Sequence, residues 1–115
     1  MNQSPLTLII EDEESLLVME EVVLEQAGYR VCGFPSAEEA LASPPEIIRE
    51  ADLALVDATF GGLPAVQALR RINPRIRTAI PTGLNFDPHP DVDRILAMPF
   101  SIEDLLREVR DLLGR

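Results

Sequence analysis

Acidic side chains stand directly after two short apolar runs. Leu6-Thr7-Leu8-Ile9-Ile10 leads into Glu11-Asp12-Glu13, and Leu53-Ala54-Leu55-Val56 leads into Asp57. An uncompensated charge is costly inside an apolar core. These carboxylates are therefore expected at a rim, at the carboxyl ends of neighbouring buried strands. In an open α/β sheet that rim is where ligands bind. Glu11, Asp12 and Asp57, with no Lys or Arg close by in sequence, suit a hard divalent cation, which takes oxygen ligands. Two plainer roles fit the same residues. Glu11–Glu14 would complement the dipole of a helix start, and Asp57 would serve as a turn residue ending a strand.

The elements that would have to position these acids alternate between strand and helix. After a strand at Thr7–Ile10, a Glu-rich first turn opens a helix near Glu14–Ala27, with Gly28 at the position that ends it. The alternating residues Tyr29–Phe34 read as a second strand. Ser36 followed by Glu39 is the pattern of a capping box for a short helix at Ala37–Ala42, and Pro44-Pro45 breaks it before one further turn at Glu46–Glu50. A third strand is expected at Ala51–Val56. Pro64 suits a first helical position, opening a helix to Ile72 with Ala65, Val66, Leu69 and Ile72 on one face. A fourth strand follows at Arg77–Ile80. Gly83–Asp91 carries two prolines and helix-poor residues, so a loop is expected there. Val92–Ala97 gives a fifth strand. Ser101 caps a last helix whose stripe is Ile102, Leu105, Leu106, Val109, Leu112 and Leu113. Five strands alternating with helices imply a doubly wound, five-stranded parallel sheet of the α/β class.

The chain has 115 residues, which suits a single domain over 1–115 with a core that needs no disulfide. With 20 acidic and 10 basic residues the formal net charge is −10. That field opposes nucleic acid and anionic membrane surfaces and favours basic partners or cations. The one cysteine, Cys32, cannot form an internal disulfide, in keeping with a reducing, cytoplasmic location. Neither a signal peptide nor a run long enough to span a membrane is visible.

These residues resemble the receiver domains of two-component response regulators, which have a flavodoxin-like (CheY-like) fold. The likeness covers essentially the whole chain. It rests on Ile9-Ile10-Glu11-Asp12-Glu13, Ala27-Gly28-Tyr29, Leu55-Val56-Asp57, Pro81-Thr82-Gly83 and Met98-Pro99-Phe100, in that order and spacing. The resemblance implies Mg2+ held by Glu11, Asp12, Asp57 and the backbone carbonyl of Thr59. It implies Asp57 as the acceptor of a phosphoryl group, with Thr82 hydrogen-bonding the phosphoryl oxygens. It also implies a histidine kinase or phosphotransfer protein as partner, signalling by protein contact, and no enzymatic activity beyond the chain's own phosphorylation. A cis bond before Pro99 is a further implication.

Three positions depart from the family pattern. Met98 stands where the family has Lys, and a thioether cannot neutralise a phosphoryl oxygen. A charge pair at ~4 Å near a protein surface is worth roughly 4 kcal/mol before desolvation, which is roughly a thousandfold in rate. Ile95 replaces the usual aromatic residue. The segment between Thr82 and Met98 is short for a full helix, so the fourth helix is expected to be shortened or absent. These changes keep a second function in view: a degenerate receiver acting as a phosphorylation-independent interaction module. A flavin or nucleotide domain is a poorer fit, because Glu11-Asp12-Glu13-Glu14 has the wrong charge to cradle phosphate. The last helix and Gly83–Asp91 are the surfaces on which a homodimer contact would be sought. Cys32 and His89 are expected to be, respectively, a half-buried strand residue and a solvated side chain.

Overall fold

A computed structural model describes residues 3–57, 62–83 and 87–114. The elements run β1 (Leu6–Ile10), α1 (Glu14–Gln26), β2 (Arg30–Phe34), α2 (Ala37–Ala42), α3 (Pro45–Glu50), β3 (Leu53–Val56), α4 (Gly62–Ile72), β4 (Arg77–Thr82), β5 (Arg94–Ala97) and α5 (Ile102–Leu113). The five strands form one sheet in the order β2-β1-β3-β4-β5. Every pairing is parallel.

Strand alternation divides the core into two layers. Leu8, Ile10, Ala54, Val56 and Ile80 face Ala40, Ile48, Val66 and Leu69 of α2, α3 and α4. Ile9, Leu53, Leu55, Ala79 and Leu96 face Leu17 and Leu24 of α1 and Leu105, Val109 and Leu112 of α5. With helices on both sides, β1 and β3 are buried at every residue, as a covered parallel sheet requires.

Local chemistry sets several element ends. Gly28 takes φ 99° just beyond α1, a left-handed conformation that costs a residue without Cβ little. Ser36 accepts the Glu39 N–H at the start of α2. At α5 the reciprocal capping box joins Ser101 to Asp104.

Some boundaries differ from expectation. Helix α4 begins at Gly62, so Pro64 is its third residue rather than its first. Strand β4 runs on through Pro81 to Thr82; its hydrogen bonds continue because Thr82 accepts the Met98 N–H at 3.0 Å. Strand β5 begins at Arg94, after Val92 and Asp93 turn into it. Ile102 is 48% exposed and outside the core, since it sits in the first turn of α5, where the helix has not yet met the sheet. Residues 87–93 contain no helix, and residues 84–86 lie outside the described residues. The Met98–Pro99 bond is cis.

Candidate metal centre at the sheet rim

The strand order reverses between β1 and β3, and an open sheet forms its ligand crevice at such a switch. The two strands are paired in register from Thr7↔Leu53 to Ile10↔Val56. Beyond them the ladder gains one further bond, from the Asp57 N–H to the Ile10 carbonyl at 3.0 Å. On the other side of β1, the Glu11 N–H donates to Phe34 O at 3.1 Å. Glu11 and Asp57 thus leave adjacent strands at one level.

The three expected acids converge there. One carboxylate oxygen from each of Glu11, Asp12 and Asp57 lies within 4.8 Å of the other two. Glu11 is buried, Asp57 is half-buried and Asp12 is exposed. The Glu11 Oε1 accepts the Glu13 N–H at 3.1 Å, which fixes the turn into α1. Three carboxylates and no nitrogen or sulfur donor form a hard oxygen set, which fits Mg2+ or Ca2+ rather than a soft metal.

Electrostatics point the same way. Burial pushes the Glu11 carboxyl up to about 7; Asp57 and Asp12 add to the rise, against the lowering effect of the Glu13 N–H. The acids repel one another when ionised, and a bound cation would relieve that repulsion. No cation is among the groups that shift Glu11.

A fourth acid belongs to this site and was not singled out from the sequence. Glu20 of α1 is 2% exposed. Burial pushes its carboxyl up to about 8, with Glu11 and Asp57 as the next causes. The signal was present in the spacing: Leu17, Glu20 and Leu24 share the inward stripe of α1, so an acid occupies a core position at helical period.

Thr82 is buried at the end of β4, two strands from β1 and next to β3. Met98 follows β5 and is 39% exposed. Thr59 lies outside the described residues. A cavity of about 230 Å3 adjoins the acids, between Asp12, Asp57, Pro35, Ser36, Val56 and Ala65. Away from this centre, Cys32 is half-buried and its thiol is pushed up chiefly by burial. His89 is not simply solvated: its Nδ1 accepts the Asp91 N–H at 3.0 Å, closing a turn.

No protein-family model matches the chain, and no curated protein matches it either. Solved structures do. A CheY-like response regulator receiver domain from Methanospirillum hungatei superposes with a TM-score of 0.81 at 22% identity, covering 97% of this chain and 95% of that one. A two-component response regulator from Clostridium difficile gives 0.84 at 20% identity, over 97% and 98%. The response regulator TrrA of Thermotoga maritima, solved in complex with Mg(2+)-BeF, gives 0.78 at 20% identity, over 95% and 99%. The fold is that of the CheY-like receiver domains, a flavodoxin-like parallel sheet. Among the described residues, no helix is long and apolar enough to cross a membrane.

Proposed function

We propose that this chain is a phosphoryl-accepting receiver: Asp57 takes a phosphoryl group from a histidine kinase or phosphotransfer protein, and the change is read by protein contact. The observation that carries this reading is the convergence of carboxylate oxygens from Glu11, Asp12 and Asp57 within 4.8 Å. The flavodoxin-like architecture and a fold neighbour solved with Mg(2+)-BeF support it.

The chemistry follows from the arrangement. An Asp57 carboxylate oxygen attacks phosphorus, an O–P bond forms, and the N–P bond of the donor phosphohistidine breaks as its imidazole leaves. Glu11, Asp12 and Asp57 would hold Mg2+, which supplies positive charge beside the transferring phosphoryl oxygens. Thr82, ending the strand next to β3, is assigned the hydrogen bond to a phosphoryl oxygen. In the family pattern the Thr59 carbonyl completes the metal ligands.

The test is incubation with Mg2+ and a small acyl-phosphate donor, read by intact mass. Wild type gains one phosphoryl group and Asp57→Asn gains none. Equal labelling of both rejects Asp57 as the acceptor.

A second reading, a phosphorylation-independent interaction module, draws on two observations. Met98 offers no positive charge where the family pattern has Lys, and Glu20 adds a fourth acid facing Glu11 and Asp57. Absence of labelling in wild type, with the fold intact, favours that reading.

A further inference from the structure

The opposite end of the sheet carries the reverse charge pattern. The chain contains no lysine, so all 10 of its basic residues are arginines. Arg30, Arg70, Arg94 and Arg107 each hold a carboxylate. Arg49, Arg75 and Arg77 have no ion-pair partner among the described residues, and all three line one pocket of about 280 Å3 at the N-terminal ends of the strands. In a protein of net charge −10, free guanidinium groups gathered at one place are not explained by pairing within the fold.

The backbone that bears them is fixed. Asn73 is buried. Its Nδ2 donates to the carbonyls of Ile48 and Ala51, each at 2.9 Å, and its Oδ1 accepts the Arg75 N–H at 3.1 Å. The Arg77 N–H donates to Asp52 O at 3.0 Å. The end of α3, which carries Arg49, and the segment from Asn73 to Arg77, which carries Arg75 and leads into β4, are therefore one stitched unit. The two acids at the pocket are already engaged: Glu50 with Arg30 at 3.8 Å, and Asp52 Oδ2 with the Leu6 N–H at 2.9 Å.

We propose that this pocket binds a phosphate-type oxyanion. A guanidinium offers paired, always-charged donors that match phosphate oxygens, and a fixed backbone presents three of them to one ligand, whose charge offsets the ordering of their side chains. The C-terminal ends of α3 and α4 also lie at this end of the sheet, with partial negative charge. That opposing charge weakens the binding of any anion, so preference for phosphate over chloride rests on the paired guanidinium donors. The site lies at the other end of the strands from Glu11, Asp12 and Asp57, and does not depend on the reading of that centre.

The experiment is an amide-shift titration of the 15N-labelled chain in Mg2+-free buffer. Inorganic phosphate is the first ligand and a nucleoside diphosphate the second, with sodium chloride at matched ionic strength as control. Saturable shifts at residues 49–52 and 73–77 are expected with phosphate ligands only. Because the three arginines are exposed, the Arg75→Gln/Arg77→Gln variant keeps the fold and weakens binding by at least about tenfold, as does Arg49→Gln by a smaller factor. Asp57→Asn leaves the affinity unchanged. Saturation by phosphate assigns the free ion as ligand, and saturation by the diphosphate alone assigns an organic phosphate. Shifts that match the chloride control, or an affinity unaltered in the double variant, overturn the proposal.

Discussion

The Asp57 N–H donates to the Ile10 carbonyl at 3.0 Å, one residue beyond the last paired position of β1 and β3. That bond sets Asp57 level with Glu11. A slip of one residue would move every side chain of β3 to the other face of the sheet, exchanging Leu53 and Leu55 with Ala54 and Val56 between the two core layers. The hydrophobic pattern of two strands thus fixes the separation of two acids, and the site inherits its geometry from the core.

Mg2+ binding is expected to be pH-dependent. Glu11 titrates at about 7 in the metal-free chain, and a carboxylate must lose its proton to become a ligand. Affinity measured by calorimetry should fall as pH drops through that value, by up to about tenfold between about pH 8 and about pH 6. Proton release should accompany binding at the lower pH. An affinity that does not change across this interval contradicts the ligand role of Glu11.

Stability without metal should decline as pH rises. Glu20 has a folded value of about 8 against an ordinary 4.5. Between these values the folded state keeps a proton that the unfolded chain has lost, so the contribution of Glu20 to stability is fully present below 4.5 and is lost as pH climbs through 8. Each unit of such a shift is worth about 1.4 kcal/mol. Glu20→Gln removes the titration, and should raise the stability to urea at about pH 8.5 by about 1–3 kcal/mol while flattening the profile. A variant whose pH profile retains the wild-type slope locates the effect elsewhere.

Much of this was legible in the sequence because local and tertiary signals agree. Two apolar runs end in acids, and both became fully buried strands. Ser36 capped α2 as its spacing with Glu39 suggested. The discrepancies arise where tertiary contacts decide. Thr82 belongs to a strand rather than a loop, because β5 supplies the Met98 N–H that extends the ladder past Pro81. Ile102 matches the apolar stripe of α5 yet faces solvent, since periodicity cannot tell where along a helix the sheet begins. The Glu11 carboxylate stands at the expected rim and is nonetheless buried there. Glu20 escaped notice because composition treats an acid as a surface residue, whereas its spacing with Leu17 and Leu24 placed it inside.

Asn73→Ala should destabilise the fold by about 2–4 kcal/mol. The side chain satisfies the Ile48 and Ala51 carbonyls at 2.9 Å each, and alanine leaves both without that donor near the core. Urea unfolding measures the loss. A change within ordinary surface-mutation scatter would mean that water replaces the amide at no cost.

Position 98 offers a gain-of-function test of the phosphoryl-acceptor reading. Met98 is exposed and directly follows β5, and its N–H is tied to the Thr82 carbonyl at 3.0 Å. Its backbone is therefore anchored to the residue assigned to the phosphoryl group, and a long side chain can be exchanged here with little effect on the core. A lysine would bring a positive charge toward the four-acid cluster. In a surface-like dielectric one such pair is worth roughly 4 kcal/mol before desolvation, and even a third of that corresponds to about tenfold in rate. Met98→Lys should therefore speed acyl-phosphate labelling of Asp57 by at least about tenfold. It should also draw the Glu11 carboxyl down from about 7, because a nearby ammonium favours its ionised form. Two readouts keep the test sharp. Faster labelling together with a lowered Glu11 titration places the lysine in the acid cluster. If the Glu11 titration falls while labelling stays slow, the missing charge is not what limits phosphorylation, and the phosphorylation-independent reading gains.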